Sequence, residues 1–130
     1  MAESQSTDAL RLSIAIAIRE LRAEIRWKPG KAEQHLAKRV RRGHLIAGSS
    51  LVDYEQIIKA IISNNASQVY RYDFGGTNYG VARGTFAERE WIVIFATDGI
   101  LETAFPPKEP GEYIARRGFE LLGTVEEVLT

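Results

Sequence analysis

Residues 50–74, SLVDYEQIIKAIISNNASQVYRYDF, contain the change in periodicity that decides the fold class. The first half has apolar side chains at helical spacing: Tyr54, Ile57, Ile58, Ile61 and Ile62. Ser50 and Asp53 have the spacing of a capping box, which marks the start of a helix. After Asn65, apolar and polar residues alternate through QVYRYDF (68–74). The stretch therefore predicts a helix followed directly by a strand.

Three more strands are predicted downstream by short apolar or alternating runs: NYGVA (78–82), WIVIFA (91–96) and ILETAF (100–105). WIVIFA is apolar on both faces, which is typical of a central strand. Short turns, including Gly75-Gly76 and Asp98-Gly99, predict that all four strands form one antiparallel meander. Pro106-Pro107 ends the predicted sheet.

An amphipathic helix is predicted upstream, capped by Thr7 or Asp8 and running to about Trp27, because its apolar residues recur in three- and four-residue steps. The alternation LSIAIAI (12–18) leaves a strand as the alternative. Short helical segments are predicted over 112–117 and 124–129, the second with Thr124 and Glu127 as a capping box.

The predicted architecture is therefore α+β, with the N-terminal helices packed on one face of a four-stranded antiparallel sheet. With 130 residues, the chain is predicted to form one domain (1–130). Within it we distinguish an N-terminal helix and turn (1–30), a core (31–107) and a C-terminal tail (108–130).

Composition narrows the classes of protein. A hydrophobic content of 45% with ordinary charge is typical of a soluble globular protein, and the absence of cysteine excludes disulfides. No long apolar run and no signal peptide pattern is present, so we expect no membrane partner. The expected site of action is the cytoplasm, with the chain acting alone or after delivery from a secreted precursor.

Positive charge is concentrated between Arg26 and His44, where seven Lys or Arg face one acid and give a net charge of +6. From Gly84 to the end, four basic residues face nine acids, a net charge of −5. On a chain with no net charge, this segregation indicates a local anion-binding surface, although a solvated charged face explains the charge equally well.

The residue inventory favours metal-free chemistry. Two histidines without cysteine do not make a usual zinc site, so neither a metal nor another cofactor is expected. Metal-free RNA cleavage needs a base for the ribose 2′-OH, an acid for the leaving 5′-oxygen and cations around the phosphorane. His35 suits the acid or base role at neutral pH, and Lys38 or Arg39, about one helical turn on, suits the phosphate.

Four motifs resemble one family in their order and spacing: HLAKR, DYEQIIKAII, YDFGGTNYGVA and DGILETAFPP. The chain resembles C-terminal ribonuclease toxin domains of bacterial polymorphic toxins, in the broad barnase, EndoU, colicin-type and RelE-like group. The resemblance covers residues 33–107 and implies a helix after a leading histidine motif, then a sheet. Two departures stand out, since Arg39 replaces the second histidine of the motif and ARGTFAERE lengthens the second hairpin.

The resemblance implies His35 and Thr103 as catalytic residues, and we add Lys38 to them. The residues expected to bind substrate are Arg39, Arg71, Tyr72 and Asn78. Together these predict a metal-independent endoribonuclease toxin that cleaves tRNA or another structured RNA. Its expected partners are RNA and a cognate immunity protein or antitoxin.

Less specific interpretations stay open. A non-catalytic RNA- or protein-binding domain of the same fold is the main alternative, and an immunity protein is a third. His35 is alternatively a surface or packing residue, and His44 is interpreted as a loop or strand-edge residue. Regular alternation puts Thr103 on the same face as Leu101 and Phe105, either in the core or in a cleft. Tyr72 in turn suits core packing as well as base stacking.

Overall fold

The chain forms five helices and one six-stranded sheet within residues 2–130, the part that this computed structural model describes; side chains are described from Asp8 onward. The elements are α1 Ala2–Ala23, β1 Arg26–Trp27, α2 Ala32–Arg41, α3 Leu51–Ser63, β2 Gln68–Phe74, β3 Thr77–Phe86, β4 Arg89–Ala96, β5 Ile100–Phe105, α4 Pro110–Arg117, β6 Glu120–Thr124 and α5 Val125–Leu129.

Helix α3 confirms the prediction from residues 50–63. The Ser50 hydroxyl accepts a hydrogen bond from the Asp53 backbone N–H at 3.2 Å, and the Asp53 carboxylate accepts one from the Ser50 N–H at 2.8 Å. The predicted apolar stripe is buried, from Tyr54 to Ile62. Burial of each isoleucine contributes about 1.5–3 kcal/mol, so this face anchors the fold.

The sheet is mixed and six-stranded, in the order β1-β5-β4-β3-β2-β6. Strands β2 to β5 are the predicted antiparallel meander, and β4 is central as predicted. The prediction of only four antiparallel strands was wrong, because β1 adds a parallel pair with β5 and β6 an antiparallel pair with β2. Strand β1 was missed because two residues are too few to show alternation. Strand β6 was missed because it contains Gly123 and lies in the segment predicted to be a tail.

Helix α1 confirms a helix over 12–18 and excludes the strand alternative there. Its predicted limits were wrong at both ends. The helix begins at Ala2, so Thr7 and Asp8 lie inside it, and it ends at Ala23 because Arg26 and Trp27 pair with β5 instead.

Both faces of the sheet are packed against other elements. The prediction that helices cover only one face was therefore wrong. Helices α1, α3 and α5 cover one face, with a core that includes Ile18, Ile61 and Phe95. On the other face, Ile114 of α4 and Phe119 pack against Tyr70, Val81, Ile92 and Ile94. The short amphipathic helix α4 forms here because a sheet with apolar residues on both faces needs cover on both.

A β-bulge in β5 decides where Thr103 faces. The register passes from Ile94↔Thr103 to Phe95↔Leu101 and skips Glu102. Leu101 therefore joins the core under α1 and α3, while Thr103 pairs with Ile94 on the α4 side, the side of Phe105. The shared face expected for Leu101 and Thr103 was wrong, since one extra residue reverses the alternation.

The β3–β4 hairpin, which the resemblance indicates is lengthened, closes through Ala87 and Glu88 at φ 50° and 67°. Two-residue turns of this kind favour Asn-Gly, because L residues with side chains are strained at positive φ. We expect Glu88→Gly to raise the free energy of unfolding by about 0.5–1 kcal/mol, measured by chemical denaturation.

Glu33→Gly is the matched control, because Glu33 is an exposed residue of helix α2. The same chemical change should there lower the free energy of unfolding by about 1 kcal/mol. Loss of stability in Glu88→Gly would contradict the assigned turn strain.

Candidate functional site

A cleft with a volume of about 920 Å³ contains the predicted histidine and threonine. It lies between helix α2, the end of strand β5 with Pro106-Pro107, and helix α4. Strand β1 pairs only with the first two residues of β5. The second half of β5 thus stays free of a neighbouring strand on that side, and α2 brings its side chains there.

His35 of α2 meets Thr103 of β5 in this cleft, with 3.3 Å between His35 Nδ1 and Thr103 Oγ1. The imidazole stacks on Trp27, with ring centroids 5.8 Å apart and an angle of 23° between planes. The Trp27 indole N–H donates to Glu55 of α3 at 2.7 Å. Two contacts therefore hold the ring and leave Nε2 free of any hydrogen bond to described residues.

Burial lowers the pKa of His35, and the positive charges of Arg39 and Lys38 lower it further. The nearby Glu102 carboxylate opposes this effect. A histidine whose pKa lies below its usual 6.5 is neutral at pH 7, so Nε2 or Nδ1 carries a free lone pair. His35 is thus in the form that a general base requires.

Arg39, also on α2, is a buried cation without an acidic partner. It is 4% exposed, and it forms no salt bridge with any described side chain. Its guanidinium lies 5.6 Å from the Phe105 ring centre, its Nη1 donates to His44 Nδ1 at 3.0 Å, and its Nε has no described partner. Buried arginines normally pair with an anion, and Arg39 borders the cleft without one.

The way in which helix α2 ends places His44 in the cleft. Gly43 has a φ of 75°, its N–H donates to the Val40 carbonyl at 3.0 Å, and the His44 N–H donates to the Arg39 carbonyl at 2.8 Å. This pair of bonds is a Schellman motif, which turns the chain back over the last helical turn. His44 therefore lies beside Arg39, and accepting that hydrogen bond on Nδ1 places its proton on Nε2.

Burial, then the charge of Arg39, lowers the pKa of His44. Of the two backbone positions predicted for His44, loop or strand edge, the structure shows the loop, and it adds that the side chain lines the cleft. The available signal was Gly43, since glycine after a basic last turn predicts this type of helix end.

Four of the seven predicted site residues come together. His35, Lys38, Arg39 and Thr103 all line the cleft. The other three do not line it, although the sequence placed them in the same site.

Arg71 lies on β2, three strands from β5, with its Nε 3.7 Å from Glu120 Oε2. The grouping of Arg71 with His35 and Thr103 in one site was therefore wrong. Tyr72 packs against Phe119 on the α4 face, and Asn78 is exposed near the β2–β3 turn. Alternation assigns these residues to a face but not to a distance across the sheet.

The third wall of the cleft was missed. It consists of Lys108 and residues of α4, including Tyr113, Arg116 and Arg117. The sequence shows only a short helix there, in a segment that is acidic overall, so nothing indicated which side chains face α2. The complete lining contains six Lys or Arg and three Glu, a net charge of +3 without the histidines.

Comparison of the chain with protein-family models, curated proteins and solved structures found no match. Within residues 2–130, no helix has both the length and the apolar character needed to cross a membrane. The described side chains also contain no cluster of three His, Asp or Glu residues suited to a metal ion.

The lowered pKa of His35 gives a test that needs no substrate. In Lys38→Gln one of the repelling charges is removed, so the pKa of His35 should rise toward 6.5. An NMR titration of the His35 ring from about pH 4 to about pH 8 measures it. Arg41→Gln, at an exposed position of the same helix, is the control and should leave this pKa unchanged. A fall in Lys38→Gln would contradict the assigned geometry.

The unpaired Arg39 predicts a conflict between stability and anion binding. Arg39→Met keeps most of the side-chain volume and removes a buried charge, so we expect the free energy of unfolding to rise by about 1 kcal/mol or more. Chemical denaturation measures this change. Arg41→Met should change it by no more than about 0.5 kcal/mol, because Arg41 is exposed. Clear destabilisation by Arg39→Met would show that the charge is compensated within the fold.

Proposed function

We propose that this cleft is the active site of a metal-independent endoribonuclease that cleaves tRNA or another structured RNA. The observation that carries the proposal is Arg39, a buried guanidinium without an anion, which contacts His44 in the cleft that His35 also lines. An RNA phosphate supplies the missing anion, and it would lie within reach of a neutral histidine.

His35 acts as the general base. In this scheme the proton of neutral His35 is on Nδ1, 3.3 Å from Thr103 Oγ1, and the Nε2 lone pair takes the proton of a ribose 2′-OH. The 2′-oxygen then attacks the adjacent phosphorus. Thr103 is in this scheme a positioning residue, because it contacts Nδ1 of His35 and does not react itself.

Arg39 stabilises the phosphorane that this attack forms. Its charge is already desolvated and held by His44 and Phe105, so it needs little reorganisation when negative charge develops. His44 is a second positioning residue, since its Nδ1 fixes one nitrogen of the guanidinium. The Arg39 Nε–H is enclosed and has no partner among described residues, so a phosphate oxygen would meet the guanidinium from the side that borders the cleft.

Lys38 supplies the proton for the leaving group. It lines the same cleft three residues after His35, and its ammonium protonates the 5′-oxygen as the P–O5′ bond breaks. The products are a 2′,3′-cyclic phosphate and a 5′-hydroxyl, with one proton moved from the 2′-OH to His35 and one from Lys38 to the leaving oxygen. The family motif has a second histidine where this chain has Arg39. In this scheme Lys38 takes the role of general acid in its place.

The physiological role we propose is that of a toxin, acting in the cytoplasm and neutralised by a cognate immunity protein or antitoxin. A net charge of +3 in the cleft would suit an acidic inhibitor that competes with RNA. The main alternative is a non-catalytic RNA- or protein-binding domain. In such a domain the unpaired Arg39 would bind an anionic group of the partner without cleaving it.

The decisive experiment incubates purified protein with total RNA in EDTA. We expect cleavage by wild type and by Gln34→Ala, an exposed neighbour on the same helix. His35→Ala should be slower by about 100-fold or more, and Thr103→Val should be slowed less. Cleavage by wild type should decline as the pH falls through the lowered pKa of His35, because the protonated imidazole is no base.

Intact RNA with wild type, or equal cleavage by His35→Ala, would reject the endoribonuclease. Salt-sensitive retention of RNA without cleavage would favour the binding domain instead.

A further inference from the structure

A continuous row of aromatic rings leads out of the cleft across the α4 side of the sheet. Phe105 and Tyr113 line the cleft with centroids 5.1 Å apart, and Tyr113 lies 5.8 Å from Phe119. Phe119 is 4.7 Å from Tyr72. Beyond Tyr72 the row ends at Tyr79, 6.2 Å away, and Phe74, 5.9 Å away. We call these six residues the aromatic row.

Core packing accounts for only part of the aromatic row. Phe119 is buried over the small core beside Ile114, but Tyr72, Tyr79, Tyr113 and Phe105 are only half-buried. Phe74 is 62% exposed at the β2–β3 turn, where its ring lies next to that of Tyr72. An exposed phenylalanine that extends a line of tyrosines offers ring surface to a ligand.

Three basic side chains lie at the end of the aromatic row that borders the cleft. Lys108, Arg116 and Arg117 are exposed and form no salt bridge with any side chain in the described part of the chain. The Arg117 guanidinium lies 5.0 Å from the Tyr113 ring centre. Aromatic surface next to uncompensated cations is the combination that binds single-stranded nucleic acid, through base stacking and phosphate contacts.

We propose that the aromatic row binds an unpaired segment of the RNA whose scissile phosphate lies at Arg39. The inference rests on the proposed function and adds the substrate class, which is RNA that is single-stranded next to the cleavage site. From Phe105 on β5 to Tyr72 on β2 is three strand spacings, about 14 Å. This length accommodates a short unpaired segment, whereas a paired strand would hide its bases from the rings.

The test uses a single-stranded oligodeoxynucleotide, which lacks the 2′-OH and is therefore not cleaved by the proposed reaction. Fluorescence anisotropy measures its affinity for wild type, for Phe74→Ser and for Phe86→Ser. Phe86 is the matched control, because it is an exposed phenylalanine at the other hairpin and outside the aromatic row. We expect Phe74→Ser to bind about fivefold or more weakly and Phe86→Ser to bind like wild type.

A duplex of the same sequence should bind more weakly than the single strand at equal salt. Unchanged affinity in Phe74→Ser, or equal affinity for duplex and single strand, would overturn the aromatic row as a binding surface. Because Phe74 is mostly exposed, Phe74→Ser should fold, and thermal unfolding checks that it does. Tyr79→Leu provides a second variant with the same expected loss.

Failure of this inference and failure of the proposed function give different results. If RNA is cleaved in EDTA while Phe74→Ser retains full affinity, the nuclease stands and the aromatic row is rejected. If RNA stays intact while Phe74→Ser loses affinity, the row binds single strands in a protein without nuclease activity.

Discussion

A buried hydrogen bond from the Tyr54 hydroxyl to the Ala104 carbonyl is the interaction on which the cleft depends. Ala104 lies in the half of β5 that β1 does not reach, so its carbonyl needs another donor. Burial raises the pKa of Tyr54 to about 12, which keeps this donor protonated. The Tyr54 ring also packs on Trp27, with centroids 5.4 Å apart, and Trp27 stacks on His35. The anchoring helix thus positions the histidine.

Tyr54 stabilises the fold at the cleft, whereas we expect the buried charge of Arg39 to lower the free energy of unfolding there. A buried guanidinium without a carboxylate loses hydration and recovers only part of it from His44 and Phe105. An apolar residue would pack there at lower cost. Local rules of folding are most often broken at functional sites, so the conflict at Arg39 itself argues for a ligand.

Elements that depend on interactions between residues close in sequence were predicted, and elements that depend on distant residues were not. Helix α3 and the capping of α5 depend on neighbours three or four residues apart, and both were predicted. The meander was predicted because tight turns join its strands. Strand β1 and strand β6 were missed because each pairs with a partner more than 40 residues away, through only a few residues.

The sequence by itself determined the α+β class, the anchoring helix, the central strand and the basic segment that carries His35, Lys38 and Arg39. Only the tertiary structure decided that Thr103 faces the cleft, since the bulge at Glu102 reverses the alternation. It also brought His44 beside Arg39, added the wall formed by α4, and left Arg71 three strands away. Local patterns encode which face a residue occupies only while the strand or helix stays regular, whereas bulges and the packing of distant segments set which residues meet.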